Sequence, residues 1–200
     1  MITLLLDAGH GDPPITGGKC SPDKTILEYY WARDMVERIA TKARAAGIPV
    51  EIIVPEKTDI PLRTRTNRVN TLCKKHGGAK NCVLISVHIN AAPGSGWANA
   101  RGWCGFVAPN ASTNSKRLAR ILYEHAERAG LRGNRSVPAQ KYWVGNFAII
   151  RDTNCPAVLT ENLFMNNRAD AEYLKSESGK ETIAELHIAA VKEYIVTMPK

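Results

Sequence analysis

The chain has 200 residues, 44% of them hydrophobic and 23% charged, the balance of an ordinary globular domain with a sizeable core. No apolar run reaches the length of a membrane span, and none of the five cysteines falls in a C-x-x-C pair, which argues against membrane insertion and against a thiolate zinc site. The formal charge of +8 favours an anionic partner, but Lys and Arg are scattered without a tract and no nucleic-acid motif is present, so no nucleic acid is expected.

Met1 opens no secretory leader, because no basic segment precedes an apolar core. Ile2 to Leu6 reads as a buried strand, too short for a helix. Asp7-Ala8-Gly9-His10-Gly11 then allows a sharp turn. Residues 12–24, rich in Pro, Gly and Lys, read as a loop. A helix is predicted from Thr25 to Ala46, with Ala32, Met35, Val36, Ile39 and Ala43 on its apolar stripe and Gly47 as its stop. Val50 to Val54 reads as a strand, and a second helix starts at Asp59-Ile60-Pro61 and carries Leu62, Arg65, Val69, Leu72 and Cys73 up to Gly77.

Cys82 to His88 is a near-continuous apolar run, predicted as a central strand buried on both faces. Gly102 to Ala108 reads as a strand, Asn114 to Ala129 as a helix, and 130–146 as irregular. Phe147 to Ile150 and Ala157 to Thr160 read as strands, and a closing helix runs from Gly179 to Val196. With neither repeats nor a linker, this alternation predicts an α/β fold: a single domain on a twisted, mostly parallel sheet with helices on both faces. Cys73, Cys82 and Cys155 read as small core residues, and spacing leaves a Cys20–Cys104 bridge open.

Ligands of open α/β sheets bind beyond the carboxyl ends of the strands, and His10 and His88 each follow a strand there. If those strands are neighbours, the imidazoles meet. Glu28 lies one turn before Ala32 on the buried stripe, and a carboxylate buried there needs a partner. Two histidines, a glutamate and a water form a known open zinc site. Each residue has a plainer reading: His10 as part of a Gly-rich turn, His88 as a core histidine, and Glu28 with Thr25 as a T-x-x-E capping box. Glu161, after Pro156-Ala157-Val158-Leu159-Thr160, is either a proton-transferring carboxylate or a turn carboxylate. His76, His125 and His187 have no acidic or strand-end company and read as structural or surface residues.

The segments Asp7–Gly11, Ser86-Val87-His88-Ile89-Asn90-Ala91 and Pro156–Asn167, with Glu28 between the first two, resemble in type and order the zinc-dependent N-acetylmuramoyl-L-alanine amidases of the Amidase_3 family. The resemblance runs from Leu4 to about Tyr194 and includes Leu62-Arg63-Thr64-Arg65 through Asn70. It implies a single catalytic domain over 1–200 without a separate wall-binding module, and Zn²⁺ held by His10, Glu28 and His88. Glu161 would be general base and then acid, and the substrate peptidoglycan, cut between the lactyl group of N-acetylmuramic acid and L-alanine. Action on the cell wall follows, as a phage lysin or a cell's own remodelling enzyme, and a monomer is expected. Asn90 and Arg151 are expected to touch substrate, and Asp7 either to orient a ligand histidine or to hold its turn. Tyr29, Tyr30 and Trp31 are bulkier than the family's usual residues, and 91–103 and 131–146 depart from its pattern. The rival readings are a zinc peptidase acting within the stem peptide and a non-catalytic wall-binding protein of the same fold.

Overall fold

Strand β1 (Thr3–Ala8) is buried along its whole length, with Leu4, Leu5 and Leu6 at zero exposure. Burying each leucine contributes about 1.5–3 kcal/mol, and alternation sends Leu4 and Leu6 to one core cluster and Leu5 to another. The computed structural model describes residues 1–12 and 19–198. Residues 13–18 of the loop expected over 12–24 therefore lie outside the described residues.

Helix α1 (Glu28–Ala45) follows, then β2 (Val50–Ile52), α2 (Leu62–Lys75) and β3 (Cys82–Asn90). The second half contains β4 (Cys104–Val107), α3 (Thr113–Arg128), β5 (Trp143–Val144), α4 (Ala148–Arg151), β6 (Ala157–Phe164), α5 (Arg168–Lys175) and α6 (Glu177–Val196). The six strands form one sheet in the order β2-β1-β3-β6-β4-β5. β2, β1, β3 and β6 run parallel, and β4 pairs antiparallel with β6. The larger core cluster draws on α1, α3 and α6, and the other takes Val69 and Cys73 from α2 and Ile149 and Ile150 from α4. The expected mostly parallel sheet covered on both faces is what the chain forms.

Two expectations are corrected and one open question is closed. Residues 147–150 are mostly the short helix α4 and not a strand, because Ile149 and Ile150 reach the core from one helical turn. The irregular 130–146 segment contributes β5 to the sheet edge, and α5 was not foreseen; Asn167 caps it by accepting from the N–H groups of Ala169 and Asp170. All five cysteines are free, so Cys20 and Cys104 form no bridge.

Register aligns the carboxyl ends of the central strands. Ala8 lies beside Val87 and His88 beside Glu161. The turn after β1, the end of β3 and the middle of β6 therefore share one edge of the sheet.

Candidate active site

His10 occupies the turn after β1 with φ at 57°, a left-handed backbone conformation that few non-glycine residues adopt. Neighbouring groups impose it: the His10 carbonyl accepts from Arg65 Nη2 at 2.7 Å and Arg33 Nη2 at 3.2 Å. Gly9 leaves room for His88, since a Cβ there would overlap the imidazole ring.

Glu28 is the first residue of α1 and is 2% exposed. The capping box is not formed. The residue before the helix is Leu27, which offers no side-chain cap, and the Thr25 hydroxyl donates to Asp23 instead. Glu28 Oε1 lies 3.0 Å from His88 Nδ1 and 3.3 Å from His10 Nε2, and accepts from the Ile89 N–H at 3.1 Å. The three side chains present ligand atoms all within 4.8 Å of one another. A tetrahedral zinc with bonds of about 2.0–2.1 Å holds its ligand atoms roughly 3.3 Å apart. The donor set and spacing therefore fit such an ion.

Burial alone would push the Glu28 carboxyl up, but its hydrogen bonds with His10 and His88 hold it down at about 2. Burial opposes protonation of His88, and Glu28 outweighs it and raises the imidazole above its usual value. The site thus carries an ionised carboxylate between two imidazoles, an arrangement that attracts a cation.

Glu161 lies within β6 rather than at its end, directly across from His88. Its Oε2 is enclosed and has no hydrogen-bond partner among the described residues. Burial is the main cause that pushes this carboxyl up to about 7, with His88 acting against it and Glu28 with it. Leaving a buried polar oxygen unpaired is costly, and here it leaves a proton acceptor beside the histidine pair. Under this strand runs a buried chain of hydrogen bonds, from Trp103 Nε1 to Asn162 Oδ1 and from Asn162 Nδ2 to Thr160 Oγ1. His187 continues it, 3.3 Å from Thr160 Oγ1 and 2.7 Å from the Ile183 carbonyl.

Asn90 lies two residues beyond His88, its Oδ1 accepting from the Ala91 N–H. Asp7 touches neither histidine. Its carboxylate accepts from Arg65 Nη1 at 3.0 Å and from the Ser86 hydroxyl at 2.6 Å, so it serves the turn through Arg65. Arg151 is not brought to the site. It ends α4, ahead of the amino end of β6, and its guanidinium is held by Asp152 and Asn146. His76 and His125 do have acidic company, Glu51 and Glu193, away from the site.

Arg65 carries no role in the sequence reading, although an arginine on the apolar stripe of α2 is a signal. It is 2% exposed and also donates to the carbonyls of Ala8 and Ile60 and to Asp59.

A profile described as N-acetylmuramoyl-L-alanine amidase matches residues 4–193. An endolysin of Bacillus phage SPP1 is 28% identical over 96% of this chain and 65% of its own length. A sporulation-specific N-acetylmuramoyl-L-alanine amidase of Bacillus subtilis is 24% identical over 96% of this chain and 68% of its own. The chain thus spans about two thirds of the length of these relatives. A crystal structure of an N-acetylmuramoyl-L-alanine amidase from Clostridium difficile 630 superposes with a TM-score of 0.82 at 23% identity, covering 99% of this chain and 98% of that one. The Mycobacterium smegmatis amidase superposes with a TM-score of 0.83 at 16% identity, covering 98% of each chain. Likeness at such identities is one of fold.

Proposed function

The chain belongs to the Amidase_3 family of N-acetylmuramoyl-L-alanine amidases, and on that premise we propose that it is a zinc-dependent peptidoglycan hydrolase acting on the cell wall. The bond cut joins the lactyl group of N-acetylmuramic acid to L-alanine of the stem peptide. The observation that carries this reading is the pairing of two features at one sheet edge: three converging ligand atoms, and the unpartnered Glu161 Oε2 beside them.

His10 Nε2, Glu28 Oε1 and His88 Nδ1 would hold the zinc. Bound there, the ion supplies Lewis-acid polarisation of a carbonyl and easier ionisation of water. Glu161 performs the proton transfers. Its Oε2 takes a proton from the water as that water attacks the lactyl carbonyl carbon, and returns it to the leaving nitrogen of L-alanine as the C–N bond breaks. Burial, which raises this carboxyl, favours its holding the proton between the two steps. Asn90, at the same edge, would meet the substrate, and Arg151 takes no part in this reading.

The test is product analysis on muropeptides. New amino groups on L-alanine, no new reducing sugar ends, loss of activity with a chelator and recovery with zinc are expected. New termini within the stem peptide would make the protein a peptidase, and tight wall binding without products would make it a non-catalytic binder.

A further inference from the structure

Arg135 has five N–H donors and few partners. Among the described residues it donates to the Cys104 thiol, 2.6 Å from Nη1, and no carboxylate lies within ion-pair distance of it, though its charge acts on Glu161. Burial keeps that thiol protonated, up to about 11, so the sulfur does not neutralise the guanidinium. The guanidinium is clasped between two rings instead, with Cζ 5.3 Å from the Trp143 centroid and 5.4 Å from that of Phe164. Such stacking fixes the plane of an arginine and leaves its edge free to bind a carboxylate by two parallel hydrogen bonds.

The placement relates it to the catalytic edge. Cys104 is the register partner of Glu161 on the neighbouring strand, and strands lie about 4.8 Å apart. Arg135 therefore stands one further side chain beyond Glu161, on the side away from His88. The loop bearing it is anchored. Asn134 accepts from the Arg101 N–H and donates to the Asn99 carbonyl, and Gly133 packs so closely on Arg101 and Gly102 that a Cβ would collide with their backbone. Trp143 in turn packs on Phe106 and Tyr123.

We infer that Arg135 binds a free carboxylate on the stem-peptide residue that follows L-alanine, making the protein selective for acidic over amidated stem peptides. The inference rests on the amidase reading for the identity of the peptide. With the leaving nitrogen at Glu161, that carboxylate lies one to two residues of chain away, at roughly 3.3 Å per residue. The guanidinium stands one strand spacing and one side-chain contact from Glu161, a separation of the same order.

The experiment compares two N-acetylmuramoyl dipeptides that differ only in an α-carboxylate or an α-carboxamide on the second residue. Direct binding of the two released dipeptides is measured alongside cleavage. The native protein is expected to favour the carboxylate by about 10- to 100-fold in kcat/KM and in affinity. Arg135→Gln should erase that ratio by losing only on the carboxylate, and Arg135→Lys should keep part of it. A structural role would lower both substrates equally and leave the ratio intact, which would overturn the inference, as would equal binding of both peptides by the native protein. Carboxylate-selective binding without cleavage would uphold Arg135 and overturn the amidase reading.

Discussion

The guanidinium of Arg65 meets the carboxylate of Asp7 at 3.0 Å, both side chains almost wholly buried, directly beneath the turn that carries His10. The same guanidinium donates to the carbonyls of Ala8 and His10. Removing one partner of such a buried pair leaves an uncompensated charge and costs about 3–5 kcal/mol. Arg65→Met is therefore expected to lower stability by about that amount and to weaken zinc binding, because the left-handed His10 backbone loses its clamp. Denaturant unfolding and chelator competition measure the two effects. A variant with native stability and native zinc affinity would show that the turn holds itself.

Gly9 offers a sharper geometric test. Gly9→Ala places a methyl group where the His88 ring lies. Zinc affinity should drop by about 10- to 100-fold, as when groups that orient ligands are disturbed. Gly96→Ala, at a position with open space around it, is the matched control and should leave zinc binding unchanged.

Glu161→Gln separates proton transfer from metal binding. The amide keeps the size of the side chain but cannot take a proton. Rate should fall by about 10²–10⁴-fold while elemental analysis still finds about one zinc per chain, as expected of an open three-ligand site. Loss of the zinc would make Glu161 a ligand. Near-native rate would place the base elsewhere.

His187 governs an acid limb of stability. Burial pushes its imidazole down to about 4 from the ordinary 6.5, against the support of the Ile183 carbonyl. The folded protein therefore binds fewer protons here than the unfolded chain between those values, and stability rises with pH. Its contribution is complete above about 6.5 and is lost as pH falls toward 4, at about 1.4 kcal/mol per unit and about 3 kcal/mol in all. Protonation would also make both ring nitrogens donors and so change the contact of Nε2 with the Thr160 hydroxyl under Glu161. His187→Gln should flatten this limb relative to the native protein in unfolding titrations from pH 7 to 4. Parallel pH curves would dismiss the assignment.

Much of this was readable from apolar runs and helical spacing. The strand runs ahead of Asp7 and through His88 are unambiguous because both are buried on two faces. Glu28 was ambiguous for a physical reason: T-x-x-E is a capping signal, and only the arrival of His88 and the Ile89 N–H from a distant strand draws the carboxylate away from its own helix. Phe147 to Ile150 misled because four apolar residues carry no period. Arg151 was expected to touch substrate, but Asp152, its neighbour in sequence, pairs with its guanidinium. Arg135 was invisible because its significance lies in what does not pair with it, and its setting depends on Cys104, Trp143 and Phe164 meeting through the sheet.

The parallel pairing of β1, β3 and β6 also sets an order of events in folding. Asp7 and Ser86, which hydrogen-bond across β1 and β3, are 79 residues apart, and His88 and Asn162, which join β3 to β6, are 74 apart. The first of these loops must close before His10, Glu28 and His88 share a space, and the second before Glu161 joins them, and closure of this kind is slow. Zinc therefore has nothing to grasp in the nascent chain, unlike small zinc modules, whose metal organises a disordered peptide. Refolding should proceed at one rate whether or not zinc is in the buffer, with the ion slowing only the return to the unfolded state. Stopped-flow traces with and without zinc would reveal this, and faster refolding with zinc would mean the site assembles early. On the zinc reading, the fold thus precedes the metal, and metal supply would govern the protein's activity rather than its yield.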